Sequence, residues 1–113
     1  MGHFHDVIAE LRQPTRDLRG LAPEAMGGFG QLHAAAMADG ALSTKVKELM
    51  ALSISITTHC EGCIAYHAKG AAAAGATEAE VVEAISVALL MSGGPATTYG
   101  PMALSAYREF AED

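Results

Sequence analysis

No stretch of this chain alternates apolar and polar residues, so the period-two signature of a half-buried strand is missing. Alanine, the strongest helix former, is instead used throughout, most densely at Ala71-Ala72-Ala73-Ala74. The expected fold is therefore all-α. Proline and glycine divide the chain into about six helical segments. The first runs from His3 to Gln13 and stops at Pro14, with a loop through Gly20. The second runs from Pro23, a favourable first-turn residue, to Met37, where Asp39-Gly40 ends it. Gly27, Gly28 and Gly30 are expected to weaken that helix or break it internally. The third opens on Ser43 as N-cap and reaches about Thr58. The fourth spans about Cys60 to Gly75, a natural C′ glycine. The fifth begins with Thr77 and Glu80 spaced as a capping box and runs to Met91. After Ser92-Gly93-Gly94-Pro95, the last covers Ala96 to Ala111, with Pro101 expected to kink it or delay its start. Val46, Leu49, Met50, Ile54 and Ile56 are expected to form a broad buried face on the third helix. Val81, Val82, Ile85, Ala88, Leu89 and Met91 are expected to do so on the fifth. Ala71 to Ala74 lack bulk, so another helix can approach them closely. Without repeats, linkers or low-complexity tails, residues 1–113 read as a single domain.

The balance of residues narrows the function classes. Half of the 113 residues are apolar and 18% are charged, below the roughly 25% charged of typical domains. A small domain this apolar carries apolar surface that is expected to be buried between subunits. The net charge is −6, with only seven Lys and Arg. Arg12, Arg16 and Arg19 are interleaved with Asp17 rather than clustered, which argues against nucleic acid and anionic membrane as partners. No apolar run approaches the roughly 20 residues that span a bilayer. The opening MGHFHDVIAE has no charged region followed by an apolar core, as a secretory signal would. A cytoplasmic location is expected, and there structural disulfides are rare.

That expectation bears on the only two cysteines, in the stretch THCEGCIAYHAKG. Residues three and four apart share a helix face, so Cys60, Cys63 and His67 fall on one stripe. Cys60 lies at the start of the fourth helix, with Cys63 in its first turn. Free N–H groups and the helix dipole there favour a thiolate. His67 can take and return the proton of Cys63. An attacking thiolate, a second thiol and a base are the parts of a thiol peroxidase or a disulfide exchanger. Other readings remain open. Two cysteines can simply pack. Cys60, Cys63 and His67 with a carboxylate or His59 can hold zinc, although no second ligand pair follows. Haem attachment is excluded, because Ile64 follows Cys63 where a histidine is needed. On spacing alone, Glu48 reads as a solvated carboxylate paired with Lys45 or Lys47. His33 carries little signal. His3 and His5 read as exposed, His59 as a tuner of Cys60 or a frayed junction residue, and Tyr66 and Tyr99 as packing.

Glu48, Cys60-Glu61-Gly62-Cys63 and His67 together resemble the E-x(11)-C-x-x-C-x-x-x-H pattern of AhpD-like alkylhydroperoxidases in the carboxymuconolactone decarboxylase superfamily. The similarity extends over residues 43 to 104, through CIAYHAKGAAAAGATEAEVVEAI and GGPATTYGPMAL. It implies an AhpD-like helical bundle that assembles into a homo-oligomer, commonly a trimer or hexamer. It also implies peroxidase (peroxiredoxin) activity on hydroperoxides, with Cys63 as the attacking cysteine and Cys60 as the resolving one. Glu48 and His67 form the implied proton relay, so the resemblance recruits Glu48 where spacing did not. No cofactor is needed for the peroxide step. The implied reductant is an external dithiol, which in the family can be a lipoyl group on a partner protein. The best-known members carry a histidine between the cysteines, where this chain has Gly62, so no role passes to that position. Members that decarboxylate the lactone generally lack the C-x-x-C, which makes that chemistry a weaker expectation. A disulfide oxidoreductase or redox sensor without useful peroxide turnover is the alternative reading.

Overall fold

The computed structural model describes residues 2–113 as six α-helices: α1 (His3–Leu21), α2 (Pro23–Met37), α3 (Thr44–Thr57), α4 (Glu61–Ala73), α5 (Glu78–Ser92) and α6 (Ala96–Ala111). Among the described residues there is no strand. Several helix ends follow from local chemistry. The Ser43 hydroxyl accepts the Val46 N–H at the start of α3. Thr77 and Glu80 form a complete capping box at the start of α5, satisfying two otherwise orphaned donors. At the end of α4, Gly75 takes φ +86°. Its N–H donates to the Ala72 carbonyl and that of Ala76 to Ala71, the hydrogen-bond pair of a Schellman motif.

The core is built by α3, α4, α5 and α6, closed at one end by Phe4 and Ile8 of α1. Leu52, Ile56, Ile64 and Val81 are its largest fully buried side chains. Ala65, Ala68 and Ala71 on α4 face Ala103 and Ala106 of α6 within the same cluster, and short side chains let helices pack at small separation. At the α5–α6 contact, a Cβ on Gly100 would stand 2.9 Å from Ile85 Cγ2. The buried Tyr107 hydroxyl donates to the Ala76 carbonyl at 2.6 Å, fixing the α4–α5 turn to α6.

Three sequence expectations are corrected. First, α1 does not stop at Pro14 but continues to Leu21. Proline frees the carbonyl four residues back, here that of Glu10. Both residues are exposed, so water can satisfy it, and Gln13 bonds Asp17 one turn on at 2.8 Å. Second, Gly27, Gly28 and Gly30 do not break α2, although no residue of α2 is buried. Its C-terminal end is tied to α3 through Thr44 Oγ1, which donates to the Met37 carbonyl at 2.8 Å. Likewise, Pro101 does not delay α6, which starts at Ala96. Third, the buried faces are narrower than hydrophobicity suggests. On α3 they comprise Glu48, Leu52, Ser55 and Ile56, leaving Val46, Met50 and Ile54 exposed. On α5, Val81, Ile85 and Ala88 are buried, while Val82, Leu89 and Met91 are exposed. The second half of α1 and all of α2 thus form an arm beside the core. The radius of gyration, 14.2 Å, exceeds the roughly 13 Å of a compact chain of this length.

Candidate functional site

The site is built at the corner where α3 passes into α4. The end of α3 closes with a second Schellman pair: the His59 N–H donates to the Ile56 carbonyl at 3.2 Å and the Cys60 N–H to Ser55 at 3.1 Å. The residue at C′ of such a motif must be left-handed, and here it is His59, with φ 56°. A side chain in that region costs about 1–2 kcal/mol. The His59 ring lies flat against Tyr99 of α6, with centroids 4.7 Å apart and planes 5° apart, a contact that helps offset the strain.

Cys60 therefore ends one helix and begins the next. It is the N-cap of α4, and its Sγ accepts the Cys63 N–H at 3.2 Å. Cys60 and Cys63 are joined as a disulfide, with Cα atoms 5.2 Å apart, inside the usual range. Cys63 is exposed and Cys60 half-buried. Once the bond is reduced, the same N–H and the positive end of the helix favour negative charge on the Cys60 sulfur.

One turn beyond Cys63, His67 meets Glu48 from α3. Nδ1–H of His67 donates to Glu48 Oε2 at 3.1 Å. That bond holds the ring in one tautomer and leaves the Nε2 lone pair available. Glu48 is 7% exposed, so the solvated-carboxylate reading is corrected. Its expected lysine partners are engaged elsewhere: Lys45 pairs with Glu80 at 2.9 Å and Lys47 bonds the Ala38 carbonyl. Room for the carboxyl group comes from Gly70, three residues past His67. A Cβ there would lie 2.5 Å from Glu48 Cδ and 2.9 Å from Oε1, and closer still to Oε2.

The remaining neighbours come from the arm and the N-terminus. Leu11 Cδ1 would lie 3.5 Å from a Cβ at Gly62, so α1 runs past the turn between the cysteines. His3 Nε2 and Glu61 Oε2 are 3.0 Å apart; that hydrogen bond raises the His3 pKa. His33 of α2 presents its ring to His67, with centroids 6.5 Å and planes 21° apart. His5 is not simply exposed: its side chain is 15% accessible and bonds both Glu109 and Asp113. Among the described residues, no group of three or more His, Cys, Asp or Glu is placed to hold a metal ion.

The four residues singled out in sequence are thus brought together in two linked pairs, Cys60–Cys63 and Glu48–His67. Sequence reasoning missed Gly70 and the approach of His33. A glycine inside an alanine-rich helix was a signal for the first, since alanine would otherwise be preferred there by about 1 kcal/mol. Nothing in the spacing of α2 signals the second. The arrangement can cycle between dithiol and disulfide, and His67, one turn past Cys63 on α4, can hold a proton.

Residues 23–105 match the model of the carboxymuconolactone decarboxylase family, a span that includes the whole site. The structure superposes on the apo form of a carboxymuconolactone decarboxylase family protein from Legionella pneumophila with a TM-score of 0.93, at 36% identity over 96% of each chain. It also resembles a family protein from Thermotoga maritima for which involvement in an antioxidative response is suggested. There the TM-score is 0.81, at 29% identity over 92% of this chain and 89% of the other. An uncharacterised protein of Cupriavidus necator is 31% identical over 98 residues, 87% of either chain. All-α architecture and sequence agree, and the chain belongs to the carboxymuconolactone decarboxylase family.

Proposed function

We propose that this family member is a thiol-dependent peroxidase of the alkylhydroperoxidase type. The observation that carries the reading is the Cys60–Cys63 disulfide one helical turn from a hydrogen-bonded Glu48–His67 pair. In the reduced protein, His67, oriented by Glu48, removes the Cys63 proton. The Cys63 thiolate attacks the hydroperoxide. An S–O bond forms, the O–O bond breaks, and the leaving oxygen takes the proton from His67 to become an alcohol. The resulting sulfenic acid condenses with the Cys60 thiol, releasing water and forming the disulfide. An external dithiol, such as a lipoyl group on a partner protein, then reduces the pair and is itself oxidised.

A second reading, general disulfide exchange, is favoured by the backbone hydrogen bond to Cys60 Sγ. That bond makes Cys60 a good leaving group when an outside thiolate attacks the exposed Cys63. Consumption of tert-butyl or cumene hydroperoxide with several dithiol donors separates the two. Peroxidase action requires turnover that is lost in Cys63→Ser and strongly reduced in His67→Ala. If both variants match wild type, this mechanism is wrong.

The working form is proposed to be a cytoplasmic homo-oligomer. The chain exposes 6704 Å², whereas a compact monomer of 11.6 kDa exposes about 5,800 Å². Phe29, Leu32, Leu90 and Met91 are each more than half exposed. Light scattering during size-exclusion chromatography should give a multiple of the chain mass; a monomer at micromolar concentration contradicts this part.

A further inference from the structure

We propose that His33 is a substrate-binding residue of the same site, hydrogen-bonding the oxygen that departs when the hydroperoxide is cleaved. This inference rests on the peroxidase reading above. The two imidazoles approach from different helices, 6.5 Å between centroids and nearly parallel. His67 has committed Nδ1 to Glu48, whereas His33 makes no hydrogen bond among the described residues. His33 is exposed, as is Cys63. Its helix buries nothing, so core packing does not account for where His33 sits. α2 is held at both ends: at its start the Ala22 N–H donates to the Leu18 carbonyl of α1 and the Met26 N–H to Ala22, and past its end the Thr44 side chain donates to the Met37 carbonyl and the Thr44 N–H to Asp39. The ring is thereby presented beside the site without being enclosed.

The chemistry supplies the need. When the Cys63 thiolate attacks, the S–O bond forms as the O–O bond breaks, and negative charge builds on the departing oxygen. His67 returns to that oxygen the proton it took from Cys63. A donor that binds the oxygen while charge develops lowers the barrier further. An imidazole always carries at least one N–H, so His33 can donate a hydrogen bond while giving up no proton, and the proton balance is unchanged.

Steady-state turnover of cumene hydroperoxide by the full chain tests this in wild type, His33→Ala, His33→Phe and His33→Gln. Because His33 is exposed, the variants should fold, which circular dichroism checks. A hydrogen bond to a developing charge predicts kcat/KM roughly 10- to 100-fold lower in His33→Ala and His33→Phe. The loss should fall on kcat/KM for the hydroperoxide, and His33→Gln should recover most of it. The rate at which dithiothreitol reduces the disulfide, measured separately, should stay constant across the series, since it involves no departing oxygen. Wild-type turnover matched by His33→Ala and His33→Phe overturns this inference alone. Full activity in His33→Phe with none in His33→Gln also overturns it, because ring contact would then suffice. An inert wild type, with every dithiol donor tried, overturns the peroxidase reading and this inference with it.

Discussion

Gly70 offers a test of the site's geometry that does not depend on any assumed activity. In an exposed helix interior, Gly→Ala stabilises by about 1 kcal/mol. At Gly70 the new methyl group would meet the Glu48 carboxyl group, 2.5 Å from its Cδ and 2.9 Å from Oε1. The carboxylate is buried and bonded to His67, so it cannot step aside and keep that bond. A hydrogen bond to a charged group contributes about 1.5–3 kcal/mol. Set against the helix gain, Gly70→Ala should destabilise by about 0.5–2 kcal/mol. In a Glu48→Ala background the obstruction is gone, and the same substitution should stabilise by about 1 kcal/mol. The sign therefore reverses, with a coupling energy of about 1.5–3 kcal/mol between positions 48 and 70. Urea denaturation of wild type, both single variants and the double variant, followed by circular dichroism under one redox condition, measures all four corners. Equal effects of Gly70→Ala in the two backgrounds would refute the placement of Glu48 against the Gly70 backbone.

Two further outcomes are expected. The hydrogen bonds from the His5 ring to Glu109 and then to Asp113 raise the His5 pKa. Burial pushes Glu109 up, but the His5 N–H, the His5 ring and the Phe4 N–H together bring it below the ordinary glutamate value. The His5 contribution is complete below about pH 6.5 and is lost as pH rises through its raised value, while that of Glu109 is present above about pH 4.3 and is lost as pH falls through its lowered value. The stability gap between wild type and His5→Gln should thus be widest near about pH 5.5 and narrow by about pH 8 in thermal melts; a gap that does not change with pH contradicts the pairing. Separately, Cys60→Ser and Cys60→Ala both abolish the disulfide, but serine retains a side-chain acceptor at the N-cap of α4. The alanine variant should be less stable by about 1 kcal/mol in urea, and equal midpoints would remove the capping role of residue 60.

What could be read in the sequence was what is settled within a turn or two of chain. Thr77 with Glu80, Ser43, Gly75 and the Cys60–Cys63–His67 stripe all depend on neighbours three to five residues away. The readings that failed depended on surroundings. Pro14 ends a helix where the carbonyl it frees is shut off from solvent, and Glu10 is exposed. Met50, Ile54 and Met91 are apolar, but apolarity alone does not say which positions of a helix the rest of the chain covers. Glu48 needed a contact across 19 residues, visible only through resemblance. His33 needed the arm to fold back beside α4, which no periodicity within α2 encodes.

The corner between α3 and α4 leaves no spare residue: Cys60 donates its N–H to the last turn of one helix and caps the start of the other with its sulfur. One residue inserted or lost between Thr57 and Glu61 would break this double use of Cys60 and shift α4 against α3, carrying His67 away from Glu48. Apart from Cys60, side chains in this corner can vary while its length cannot. Across relatives, gaps in an alignment should be tolerated in the α2–α3 and α5–α6 connections and be rare here.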